Sequence, residues 1–220
     1  QLPVTASIGI TRYPEDADVP QELLRKAALA IFDIKAQKKN NYQFFEQRMN
    51  SEVAEQLAQE QRLLTAIKNE TFEFYYQPFV DTKSGLISGA EALIRWIEAD
   101  GNIIYPDSFI PFSEKLGLID QLDKITINKV FAQVALWQKQ ALDFGPIAIN
   151  LSAKMFSDSA ALIALLKAKL NQYGISPARI KIEITEGMLL DKIDIAILTM
   201  QQLKALGFKL SLDDFGTGFS

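Results

Sequence analysis

Hydrophobic and polar positions alternate at the start of the chain: Val4, Ala6, Ile8 and Ile10 against Thr5, Ser7, Gly9 and Thr11. This period of two predicts a half-buried strand. "YPEDADVP" (13–20) is turn chemistry, and a helix follows with Leu23, Ala27, Ala30 and Ile34 on one face. "NYQFFEQ" predicts one more short strand. A second helix is expected from an N-cap at Ser51 to Lys68, with Val53, Leu57, Leu64 and Ile67 as its apolar stripe.

From Phe72 the rhythm changes to strands alternating with helices. The predicted strands are "FEFYYQPFV", "LISGAEALIRW", "PIAINLS", "RIKIEITE" and "FKLSLDDF". Helical spacing covers 106–118, 120–140, 160–173 and 192–206, the last stopped by Gly207. Repeated strand-then-helix units argue for parallel strands wrapped by helices.

The strands are two-faced. Ile180, Ile182 and Ile184 oppose Lys181, Glu183 and Thr185; Leu210 and Leu212 oppose Ser211 and Asp213; Ile147, Ile149 and Leu151 oppose Ala148 and Asn150. Glu91, Leu93 and Arg95 share a face as well. One face suits packing against helices, and the other turns polar towards the C-terminal strand ends, the pattern of a (β/α)-barrel active site.

The chain has no Cys and no His, which removes disulfides, thiolate nucleophiles, imidazole bases and the usual zinc ligands. Glu91, Asn150, Glu183, Asp213 and Asp214 are the polar groups expected at the strand ends. Carboxylates converging in a half-buried space repel one another unless a cation neutralises them. With one amide oxygen they form a set for hard cations such as Mg²⁺, Mn²⁺ or Ca²⁺. An adjacent acid pair can bridge two ions, a device for displacement at phosphorus. Alone, an Asp–Asp pair is more often a turn or a helix cap. "DFG" at Asp214 also matches a protein-kinase motif, but no His and no glycine-rich phosphate loop accompany it.

The 220 residues are 48% hydrophobic and 23% charged, with net charge −4. No basic block suggests a DNA or RNA surface, and no apolar run approaches the ~18 residues of a membrane span. The first residues, "QLPVTASIGITRY", lack an initiator Met and a signal-peptide pattern, so the chain is read as a fragment cut at both ends.

"YYQPFVDTKSGLISGAEALIRW", "PIAINLS", "IKIEITE" and "LSLDDFGTGFS" together resemble the EAL-domain phosphodiesterases, which hydrolyse the bacterial second messenger cyclic di-GMP. The resemblance implies an α/β fold: a (β/α)8 TIM barrel with its first strand antiparallel to the rest, here truncated after about the fifth strand. It implies two Mg²⁺ or Mn²⁺ ions as cofactors and linear pGpG as product. By motif, Glu91, Asn150, Glu183, Asp213 and Asp214 correspond to metal ligands, with Asp213 bridging. Gln77 and Arg95 resemble substrate contacts, and Glu186 resembles the anchor of the loop that begins at Gly216 and Gly218. That loop also contributes to a homodimer interface in the family.

"VTASIGITRYPED" and "NNYQFF" resemble the C-terminal tail of a GGDEF (diguanylate cyclase) domain. Ala28 replaces an Asp of that pattern, Phe32 a Tyr, and Lys38 and Lys39 a Gly–Arg pair, while Lys35 is retained. These departures imply an inactive or regulatory cyclase half. The expected domains are 1–47 (GGDEF tail), 48–68 (linker helix) and 69–220 (N-terminal part of the EAL domain). The fragment alone is expected to be inactive, since further family catalytic groups fall beyond Ser220. The parent is expected to be a cytoplasmic hydrolase, with an upstream membrane anchor left open. A receptor that binds cyclic di-GMP without cleaving it, and a structural GGDEF–EAL module, are the rival readings.

Overall fold

The computed structural model describes residues 5–37, 40–142, 145–185 and 193–213. Backbone contacts divide the chain into two compact units, residues 1–64 and 65–220.

In the first unit β1 (Ile8–Ile10) pairs in parallel with β2 (Tyr42–Phe44), and α1 (Pro20–Gln37) connects them. Gly9 is required where β1 meets α1, because a Cβ there would lie 2.0 Å from the Ala27 carbonyl oxygen. Ala30, Phe45 and Met49 are buried together. The next helix, α2 (Arg48–Asn69), starts three residues before the expected Ser51 cap. Ser51 instead donates its hydroxyl to the Arg48 carbonyl at 2.7 Å. The helix start is rich in ion pairs: Arg48 meets Glu46 at 2.7 Å and Glu52 at 2.9 Å. The buried positions of α2 include Met49, Leu63, Ala66 and Ile67, whereas Leu57, expected in the stripe, is exposed. The unit boundary falls inside this helix.

The second unit is built on one sheet in the order β3 (Phe72–Val80), β4 (Ile87–Ile97), β6 (Ile147–Asn150), β7 (Ile180–Thr185) and β8 (Lys209–Asp213). A two-residue strand, β5 (Ile103–Ile104), also pairs with β4. β3 is antiparallel to β4, and β4, β6, β7 and β8 are mutually parallel, the strand directions that the resemblance implies. The helices between them are α3 (Pro106–Lys115), α4 (Ile119–Lys139), α5 (Ala153–Ser157), α6 (Ser159–Tyr173) and α7 (Ile193–Leu206).

One sheet face is sealed by helices. Ile147, Ile149, Ile180 and Ile182 are fully buried with Val130 and Phe131 of α4, and with Leu162 and Leu166 of α6. Burying each such side chain contributes about 1.5–3 kcal/mol. Leu212 departs from the expected pattern and is exposed, because β8 is the edge of the described sheet. The expected strand "PIAINLS" ends early, at Asn150. Ser152 caps α5 instead, its hydroxyl accepting from the Met155 amide at 3.1 Å. Gly207 ends α7 at φ +95°, the left-handed backbone the sequence implied. Among the described residues no helix is long and apolar enough to cross a membrane.

Candidate active site

Neighbouring strands place their paired residues on the same face of a sheet. Gln77 pairs with Glu91 across β3 and β4. Asn150 pairs with Glu183, Glu183 with Ser211, and Thr185 with Asp213. Asn150 and Asp213 are the last residues of their strands, so this face becomes polar at the C-terminal ends of β6 and β8.

The side chains meet. Asn150 donates from Nδ2 to Oε1 of Glu91 at 2.7 Å. Ser211 donates its hydroxyl to Oε1 of Glu183 at 2.9 Å, and Lys181 Nζ reaches the same oxygen at 3.1 Å. Burial raises the Glu91 carboxyl above its usual range, and the negative charges of Glu183 and Asp213 push the same way. The Asn150 hydrogen bond and the Lys181 charge oppose that rise. Glu91 and Asn150 are therefore in contact, and Glu183 and Asp213 lie near enough for their charges to act on Glu91. Their donors are hard oxygens, which fit Mg²⁺ or Mn²⁺ better than a soft metal. Among the described residues, no three acidic groups are already close enough to hold a metal ion. Asn150 presents its N–H, not its carbonyl oxygen, to Glu91. Asp214, Glu186 and the loop starting at Gly216 lie outside the described residues.

Arg95 stands four residues beyond Glu91 on the same face of β4 and is not part of the carboxylate group. Its guanidinium carbon lies 5.5 Å from the Tyr75 ring centre and 5.0 Å from that of Tyr105. It also donates to the Ile94 carbonyl at 2.9 Å. Two aromatic faces thus orient a planar cation suited to bidentate phosphate contacts. Beside the strand ends lies a largely apolar cavity of about 600 Å³, whose wall includes Ile94, Pro106, Leu122, Asn150, Thr185 and Asp213.

Sequence reasoning did not single out the groups that support the site. Asp123 of α4 is buried and accepts from both the amide and the hydroxyl of Ser152, at 3.2 and 2.5 Å. Burial lifts its carboxyl to about 6, against the two Ser152 hydrogen bonds. Lys154 of α5 pairs with Asp120 of α4 at 2.6 Å. The turn after Asn150 is therefore tied to the start of α4 at two points. Lys181 and Ser211 were detectable, since they share the polar face of their strands; nothing in the local pattern marks Asp123.

A family profile described as the EAL domain matches residues 60–220. The chain is 35% identical over 220 residues to a bifunctional diguanylate cyclase/cyclic di-GMP phosphodiesterase, MucR, of Pseudomonas aeruginosa. It is 33% identical over 219 residues to the cyclic di-GMP phosphodiesterase NbdA of the same organism. Both alignments cover 100% of this chain but only 32% and 28% of the relatives, so the chain spans less than a third of their length. Among solved structures, a MucR phosphodiesterase in complex with c-di-GMP matches with a TM-score of 0.68 at 33% identity, over 73% of this chain and 64% of that one. A match over nearly three quarters of its length, on a parallel sheet that gathers Glu91, Asn150, Glu183 and Asp213, leads to one assignment: this chain belongs to the EAL domain family.

Proposed function

We propose that the protein containing this chain hydrolyses cyclic di-GMP to linear pGpG with two Mg²⁺ or Mn²⁺ ions. The observation that carries the reading is the Asn150–Glu91 hydrogen bond at the strand ends, beside Glu183 and Asp213, whose negative charges both act on the Glu91 carboxyl. The similarity to relatives named as cyclic di-GMP phosphodiesterases supports it. Glu91, Asn150, Glu183, Asp213 and Asp214 would hold the ions, which supply an activated water and stabilise the leaving oxygen. Gln77 and Arg95 would contact the substrate, Arg95 through charge-assisted bonds to a phosphate. Glu186 would anchor the loop that follows Asp214.

Residues 1–47 are taken, in this proposal, as the tail of a GGDEF domain, 48–68 as a linker helix, and a second copy of the chain as the homodimer partner.

The test is release of pGpG from cyclic di-GMP by the full-length protein in Mg²⁺ or Mn²⁺, with and without a chelator. Metal-dependent product supports the reading. Binding without product would make the protein a cyclic di-GMP receptor instead.

A further inference from the structure

Lys181 is an unexpected group beside a set of oxygen ligands for a divalent cation. It lies two residues before Glu183 on the same face of β7, with its side chain 21% exposed and that of Glu183 only 8%. Its ammonium is fixed from two sides: Nζ is 3.1 Å from Oε1 of Glu183 and 4.1 Å from the ring centre of Phe79. An ammonium over an aromatic face is attracted by the ring quadrupole, so the contact with Phe79 adds to the ion pair. Strand pairing sets Lys209 beside Lys181 on the neighbouring strand, adding a second positive charge at that level.

Oε1 of Glu183 accepts from both Lys181 and Ser211. A carboxylate can satisfy an ammonium or a metal ion through a given lone pair, and the two cations repel each other. We propose that Lys181 is a built-in counter-ion of Glu183 that competes with the divalent cation and sets how much metal the site requires. This inference rests on the metal reading given above. The lysine neutralises Glu183 in the metal-free protein, where unpaired acids would otherwise repel. Whichever carboxylate oxygen a metal takes, the ammonium remains as a repulsive charge close by. Even with water-like screening, a unit charge about 5 Å from a divalent ion is worth roughly tenfold in affinity.

The experiment is a Mn²⁺ titration of the full-length protein without nucleotide, with free Mn²⁺ followed by its paramagnetic resonance signal. Lys181→Met is expected to bind Mn²⁺ at least about tenfold more tightly than wild type. Lys181→Arg keeps the charge, and Ser211→Ala removes only a neutral contact to Glu183; both are expected to stay within about threefold of wild type. Unchanged or weaker binding in Lys181→Met overturns the competition, because the lysine would then be neutral to metal or would help position its ligand. Lys181→Gln, read in the same way, takes its place should the Met variant lose its cooperative thermal transition. Absence of Mn²⁺ binding by wild type and every variant would overturn the metal reading itself, an outcome distinct from failure of the lysine's role.

Discussion

Asn150 and Glu91 lie 59 residues apart in the chain and are joined by a 2.7 Å hydrogen bond from amide to carboxylate. β6 presents Asn150 at its last residue, and β4 presents Glu91 on the same face of the sheet. The bond holds a carboxyl that burial and two acidic neighbours already push towards protonation. In the proposed reaction both groups would turn their oxygens to the metal.

Glu91→Gln keeps the shape of the side chain and removes its charge. Hydrolysis of cyclic di-GMP by the full-length protein is expected to fall by more than about 100-fold, beyond the usual cost of altering an outer partner of a metal ligand. The thermal transition is expected to persist. Wild-type turnover by this variant would remove Glu91 from the site.

Arg95→Lys tests the aromatic sandwich. Lysine keeps the charge but loses the planar fork and its stacking on Tyr75 and Tyr105. Cyclic di-GMP affinity, measured by calorimetry on the metal-free protein, is expected to weaken by roughly tenfold or more. Equal affinity would mean that Arg95 does not grip a phosphate.

Asp123 supplies a pH dependence with a defined sign. Its carboxyl is raised to about 6 in the fold, against 3.8 for an ordinary Asp. The native state therefore binds the proton more tightly than the unfolded chain does. Stability from this group is fully present below about pH 4 and is lost as pH rises through 6. Asp123→Asn cannot ionise, so its stability relative to wild type is expected to rise between pH 4 and pH 7, by up to roughly 3 kcal/mol. Urea unfolding of both proteins across that range is the measurement; a pH-independent difference would contradict it.

Ile149 lies fully buried immediately before Asn150. Ile149→Ala is expected to cost about 2–5 kcal/mol through lost burial and a cavity, and Ile149→Val about 0.5–1.5 kcal/mol. Denaturant midpoints will show whether the gradation holds.

Much of this arrangement was legible because it depends on alternation along short strands. Ile180, Ile182 and Ile184 announced a buried face, and the residues between them announced the other. Helix spacing located α4, α6 and α7 to within a residue or two. Reading failed where tertiary contacts overrode local pattern. Ser152 looked like the continuation of a strand, but Asp123 and the Met155 amide make it a helix cap. Leu57 fitted a helical stripe by spacing alone and is exposed in the fold. Asp123 itself gave no signal, since a single acid within an amphipathic helix normally faces water.

The pairing of Asn150 with Glu183, of Glu183 with Ser211 and of Thr185 with Asp213 makes the candidate site a matter of parity. One residue inserted within β7 ahead of Glu183 would send its carboxylate into the helical layer and turn an isoleucine towards the acids. Two inserted residues would restore the orientation but displace the group by about 6–7 Å along the strand. Loops between these strands can therefore lengthen or shorten over evolutionary time while the spacing inside the strands cannot, and descendants that keep the chemistry must keep the count.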